Sequence, residues 1–275
     1  TIPFHKMHGL SNDFMIIDAV NQPFDIKAAE IVLLSDRTKG IGFDQCLVIE
    51  GSSSPLIDFN YRIFNANGQE VGQCGNGARC LALFAQYYGL TQKKKLTVAT
   101  KTTTLSLEII DAQTVRVDMG IPNLIPALIP LLTDEQAENY SLKLPKQTIS
   151  IHALSVGNPH AVTLVEDITK APLQEIGPLI SHHHQFPEQT NAGFMQLVNK
   201  NHILLRVYER GSGETQACGS GAVAAAAIAH LYYQLDSKIK VSLPGGDLLI
   251  EWPNINESIF LTGPATFVYE GNLLM

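Results

Sequence analysis

The chain is short of positive charge, cysteine and tryptophan, and it has no long apolar run. Nineteen Lys and Arg stand against twenty-six Asp and Glu, a net charge of −7 with histidine neutral. Nucleic-acid binding is built on basic surface, and the one basic run, Lys93, Lys94 and Lys95, is too short to provide it. No segment approaches the roughly 18 apolar residues of a membrane span, and "TIPFHKMHGL" at the start lacks the apolar core of a signal peptide. The expected compartment is the cytoplasm, where the sequons at Asn139 and Asn256 would stay unmodified. Four cysteines, Cys46, Cys74, Cys80 and Cys218, are too few and too scattered for a disulfide scaffold, so free thiols are expected. The run His182, His183 and His184 invites a metal reading. Adjacent side chains point different ways and no Cys or acidic cluster lies near, so a solvated loop is expected instead.

What is present is an ordinary globular composition. Of 275 residues, 45% are hydrophobic and 16% charged, with mean hydropathy +0.07. That length holds one large domain or two smaller ones. The sequence repeats at four points. "QCGNGARCLALFAQYYGL" at 73–90 matches "ACGSGAVAAAAIAHLYY" at 217–233, which sets Cys74 over Cys218 at an offset of 144. "LSNDF" at 10–14 matches "VGNPH" at 156–160, with Asn12 over Asn158 at offset 146, and Gln45 falls opposite Asn191 at the same offset. "YRIFN" at 61–65 matches "LRVYE" at 205–209, so that Asn65 lies over Glu209 at offset 144. Near-constant spacing at four points, each ending in an amide, an acid or a thiol, reads as two homologous halves with one duplicated site.

Within each half, alternating β-rich runs precede the cysteine, an apolar helical run follows it, and further strands come after. The fold class expected is α+β, two pseudo-symmetric halves of strands wrapped around a central helix, with the active site in the cleft between them. The proline-rich "MGIPNLIPALIP" at 119–130 marks the boundary. The halves are expected at 1–118 with 264–275, carrying Cys74, and at 119–263, carrying Cys218.

Cys-Gly-x-Gly at a helix start carries chemistry for a physical reason. The first turn has amide N–H groups without internal partners and partial positive charge from aligned peptide dipoles. Glycines let an anion approach that backbone, and a cysteine there has its thiolate stabilised. A single such match favours an inert, buried cysteine; the duplicated match, with polar residues aligned around it, favours function. Two helix starts gripping one carboxylate would put a thiol on each side of the carbon that bears it. Such a pair suits removal of a Cα proton from one face and its return on the other. No cofactor motif is identifiable, so preorganised dipoles in a dry site would have to stabilise the carbanion. Cys46 and Cys80 are expected in the core.

In order along the chain, "HGLSNDF", "GIGFDQ", "YRIFNANG", "QCGNGARC", "GNPH", "NAGF", "YERGSGETQACGSGA", "SLPGGDL" and "TGPATFVYEG" resemble the diaminopimelate epimerase family. The resemblance implies interconversion of LL- and meso-2,6-diaminopimelate without cofactor or metal, on the route to lysine and peptidoglycan, by a homodimer. It implies Cys74 and Cys218 as acid and base, with Gly75, Asn76, Gly219 and Ser220 holding the reacting carboxylate. Asn12, Gln45, Asn65, Asn158, Asn191, Glu209 and Arg210 would complete the pocket, Arg210 as bidentate partner of the distal carboxylate. His160 and Glu209 would tune the thiols, and Tyr269 would lie at the dimer contact. A racemase acting on proline or hydroxyproline would not need those distal groups, and a protein that only bound an amino acid would not need both thiols. One departure stands out: the family usually has glycine where this chain has Ser11, which costs strain if that position requires positive φ.

Overall fold

The computed structural model describes residues 1–72 and 74–274. The chain divides into two compact units, Thr1–Asp118 with Thr262–Met275, and Met119–Leu261. The first unit contains β1 (Ile2–Gly9), β2 (Asn12–Asp18), α1 (Ala28–Ser35), β3 (Gln45–Gly51), β4 (Phe59–Asn65), β5 (Glu70–Val71), α2 (Gly75–Tyr87), β6 (Lys95–Ala99), β7 (Thr104–Ile109) and β8 (Thr114–Asp118). The second contains β9 (Tyr140–Lys143), β10 (Thr148–Ser155), β11 (Pro159–Leu164), α3 (Leu173–Ser181), β12 (Asn191–Asn199), β13 (His202–Glu209), β14 (Gly213–Thr215), α4 (Gly219–Tyr233), β15 (Lys238–Leu243) and β16 (Gly246–Glu251). Strand β17 (Phe260–Pro264) runs across the boundary, and β18 (Thr266–Leu273) returns to the first unit.

The repeat is visible pairing by pairing. In the first unit β1 is antiparallel to β18 and β2, β2 is parallel to β3, β3 is antiparallel to β4, and β4 is antiparallel to β5 and parallel to β6, which pairs antiparallel with β7. In the second, β10 is antiparallel to β9 and β11, β11 is parallel to β12, β12 is antiparallel to β13, and β13 is antiparallel to β14 and parallel to β15, which pairs antiparallel with β16. Parallel neighbours need a crossover, and α1, α2, α3 and α4 each lie in sequence between one parallel pair.

Register matches as well as topology. Phe14 pairs with Gln45 in the first unit and His160 with Asn191 in the second, both at offset 146. Ile63 pairs with Val71, and Val207 with Thr215, both at offset 144. The change of two is absorbed in one hairpin: seven residues, 52–58, separate Gly51 from Phe59, and five, 198–202, separate their counterparts Leu197 and Ile203.

Helices α2 and α4 are the crossovers that carry the repeated motif. Asn76 to Ala85 of α2 and Gly221 to Ala229 of α4 are buried without a break, as in a helix apolar on every face. Alanine fits α4 twice over: it is the best helix former, and its small side chain lets strands close in around it. Helix α4 stops at Gln234, whose φ of 59° is left-handed and whose N–H closes onto the Ala229 carbonyl. Each unit has its own core, one around Phe4, Met15, Phe43, Cys46 and Leu273, the other around Ile129, Leu142, Ile151, Phe186 and Phe194.

One local expectation holds only in part. His182 and His184 are exposed, but His183 is only 7% exposed, its Nε2 donating to the Lys143 carbonyl and its Nδ1 accepting from the Gln185 N–H. Helix α3 ends at Ser181, and the turn after it folds His183 back toward β9. Among the described residues no helix is long and apolar enough to cross a membrane, and no group of three or more His, Cys, Asp or Glu side chains is placed to hold a metal ion.

Candidate active site

In each unit the sheet register gathers the polar residues at the strand ends nearest the helix mouth. Gln45 opens β3 directly opposite Asn65, which closes β4, and the Gln45 Nε2 donates to Asn65 Oδ1 at 2.9 Å. In the second unit Ala192 pairs with Tyr208, which brings the adjacent Asn191 and Glu209 to the equivalent place. Asn191 is buried, and its Oδ1 accepts the Arg210 backbone N–H at 2.9 Å. Asn191 therefore fixes the chain that carries Arg210, whose Nη1 donates to the Glu188 carbonyl at 2.9 Å.

Cys74 is the N-cap of α2, with extended backbone at φ −157° and ψ 101°, and its sulfur accepts the Gly77 N–H at 3.3 Å. Cys218 is the N-cap of α4 at φ −122° and ψ 106°. The second glycine of each motif leaves room for the sulfur: a Cβ at Gly77 would lie 3.2 Å from Cys74 Sγ and one at Gly221 would lie 3.2 Å from Cys218 Sγ. At the first glycine of the first motif, Gly75, a Cβ would meet nothing within 4 Å among the described residues beyond its chain neighbours.

The surroundings of the two thiols differ. Around Cys74, Asn12 Oδ1 lies 3.9 Å from the sulfur and accepts Asn76 Nδ2 at 3.2 Å, while Tyr61 donates its hydroxyl to the Cys74 carbonyl at 3.3 Å. Arg79, 0% exposed, donates Nη2 to Asn76 Oδ1 at 2.9 Å and Nε to the Pro264 carbonyl at 3.2 Å. Around Cys218, which is 4% exposed, Ser220 Oγ lies 3.7 Å from the sulfur and accepts from Asn158 Nδ2 at 3.2 Å. Glu209 lies beside Cys218 and accepts a hydrogen bond from Thr215 Oγ1 at 2.6 Å. Burial and the neighbouring Glu209 carboxylate raise the Cys218 pKa well above the ordinary thiol value, against the opposing pull of Ser220 and Gly221. Burial likewise raises Glu209.

His160 is fully buried, and burial together with Arg210 lowers its pKa to about 3. It is therefore neutral. Its Nε2 lies 3.1 Å from Asn158 Oδ1 and its Nδ1 has no partner among the described residues. A buried orphan N–H is costlier and rarer than an orphan acceptor, so the proton sits on Nε2 and is donated to Asn158. His160 thus reaches Cys218 through Asn158 and Ser220. The other two thiols lie in the core: Cys46 and Cys80 are buried with pKa values raised by burial, Cys80 to about 12, and Cys46, Cys80 and Cys218 form no disulfide.

A family model for diaminopimelate epimerase matches residues 4–125 and 152–268. The diaminopimelate epimerase of Legionella pneumophila (strain Lens) is 64% identical over 274 residues, 99% of each chain. The chain belongs to the diaminopimelate epimerase family. Solved structures extend the likeness in fold alone. A phenazine biosynthesis protein of Bacillus anthracis, 18% identical, superimposes with TM-score 0.67 over 100% of this chain and 99% of its own. A hydroxyproline epimerase of Agrobacterium vitis, 11% identical, does so with TM-score 0.68 over 98% and 91%.

Comparing the halves of this epimerase-family chain misses three residues that the structure places at the Cys74 site. Asp44, Tyr61 and Arg79 fall opposite Thr190, Leu205 and Val223. An alignment that rewards matching polar pairs passes over them, although Asp44 and Arg79 sit inside "GIGFDQ" and "QCGNGARC". Tyr269 lies on β18, 48% exposed, with its ring edge-on to Phe4 at 6.0 Å between centroids.

Proposed function

We propose that this chain epimerises LL-2,6-diaminopimelate to the meso form, with Cys74 and Cys218 alternating as base and acid at one carbon. The observation that carries the reading is the duplication: the same register sets a thiol at the mouth of a buried helix in both units. One thiolate removes the Cα proton and the other thiol returns a proton to the opposite face, so each turnover exchanges the two protonation states. The N–H groups at Gly75, Asn76, Gly219 and Ser220 hold the reacting carboxylate, where helix dipoles stabilise the charge that develops on deprotonation. Gln45, Asn65, Asn12, Asn158 and Asn191 shape the pocket, and Arg210 takes the distal carboxylate as a bidentate pair. The Glu209 carboxylate beside Cys218 favours the protonated thiol and so keeps a proton there until the reacting carbon needs it. The enzyme works in the cytoplasm as a homodimer through the surface around Tyr269, an assembly that sedimentation equilibrium reads directly.

Incubation with LL-diaminopimelate in deuterium oxide under reducing conditions should give meso product deuterated at Cα. Cys74→Ala and Cys218→Ala should each abolish epimerisation. Substantial turnover by either variant would sink the two-thiol mechanism.

A further inference from the structure

The amides beside Cys74 form a chain with one direction. Arg79 can only donate, and it donates to Asn76 Oδ1 at 2.9 Å. Asn76 must then turn its Nδ2 outward, to Asn12 Oδ1 at 3.2 Å. At the far end Asn12 Nδ2 donates at 2.9 Å to Asp44 Oδ2, a carboxylate that can only accept. With a donor fixed at one end and an acceptor at the other, neither amide can turn over without losing a hydrogen bond. The geometry points to Asp44 and Arg79 as positioning residues that hold the Asn12 carbonyl, rather than its amino group, toward the Cys74 thiol.

The second unit supports this by contrast. Asp44 and Arg79 have Thr190 and Val223 in their places, and the matched asparagine is held the other way round. His160 occupies the Asn158 carbonyl, and the Asn158 amino group faces the helix mouth through Ser220. Two equivalent asparagines therefore present opposite ends to their thiols. Asp44 is itself seated by Arg37, whose Nη2 lies 2.8 Å from Asp44 Oδ1 and which also grips Asp13. Titratable groups beside Cys74 among the described residues include Tyr61 from β4 and Arg79 and Cys80 from α2.

This deepens the proposed function and takes its importance from it, but it is testable without substrate. Alkylation by iodoacetamide is followed against pH, with Cys74 and Cys218 resolved as separate peptides by mass spectrometry. Asp44→Asn is isosteric at a side chain that is 43% exposed, so the fold persists, which a thermal melt verifies. An amide at 44 accepts either end of Asn12, so turning Asn12 then forfeits only the bond from Asn76 and gains one from its N–H to the thiolate. Thiolate gains a donor and loses a nearby negative charge, and the Cys74 midpoint should fall by about one pH unit while that of Cys218 stays put. Asp44→Glu, which keeps an acceptor-only end, should hold the wild-type midpoint. So should Arg37→Ala, which loosens the ion pair but leaves the Asp44 to Asn12 bond. An unchanged Cys74 midpoint in Asp44→Asn, equal movement of both thiols, or the same shift in Arg37→Ala would overturn the inference. None of these results depends on whether diaminopimelate is the substrate, so the two readings can fail separately.

Discussion

Ser11 shows at the scale of one residue what this site requires. Leu10 and Ser11, the two residues between β1 and β2, both have positive φ, 55° and 68°. A two-residue hairpin turn with positive φ at both positions favours Asn-Gly because a Cβ there crowds the backbone. The turn is held by its surroundings: Asp13 is gripped by Arg37 and Lys6, which keep its carboxyl far below the ordinary value although burial pushes it up. Replacing Ser11 with glycine should therefore stabilise the protein by about 1 kcal/mol, read as a higher melting temperature with the Asn12 contacts intact. An unchanged or lower melting temperature would show that the clamp, rather than φ, dominates. The strain at Ser11 was legible in the sequence as a departure from a familiar pattern. Arg79 was not, because nothing in a string of letters reveals that a cation inside an apolar helix face is fully buried and bonded to an asparagine three residues back.

At the scale of the element, the N-terminal turns of α2 and α4 are the working parts, and their glycines divide the labour. Gly77 and Gly221 are needed for space against the sulfur, and Gly77 also lies where a Cβ would sit 3.0 Å from Leu47 Cδ1. Gly77→Ala and Gly221→Ala should each cost about 1–3 kcal/mol of stability by overpacking, and by displacing a thiol should lower turnover about tenfold to a hundredfold. Stability and rate measured on the same preparations separate the two effects; full activity in either variant would show that the thiol has slack. The elements themselves were readable from paired motifs because both copies kept their registers, so Gln45 over Asn191 and Asn65 over Glu209 marked true structural equivalents. The turn after α3 was not readable, since the burial of His183 is decided by a carbonyl on β9, forty residues away in sequence.

For the whole molecule, buried neutral histidines govern the response to acid. His5, His152 and His160 are buried and have pKa values lowered chiefly by burial, His160 the furthest. Above about pH 6.5 both folded and unfolded states leave these rings neutral, and their contribution is constant. Below it the unfolded chain takes up protons that the folded one refuses, so stability falls as pH falls, by up to about 1.4 kcal/mol per pH unit for each such histidine. Denaturant melts between pH 7 and 4 should show this decline, with a shallower slope in His160→Gln. A slope identical to wild type would mean that His160 protonates freely in the folded protein. The duplication was legible at this scale too, but the return of the chain to its first unit has a further consequence. Strand β18 completes the sheet beside β1, and its Leu273 belongs to the first unit's core. The ribosome makes Thr1–Asp118 first, yet must translate all of Met119–Leu261 before that strand exists, a wait on the order of ten seconds. The second unit is contiguous and can settle as it emerges, so the half that is born first is the half that is finished last, and until then its exposed β1 edge is the chain's point of need for a chaperone.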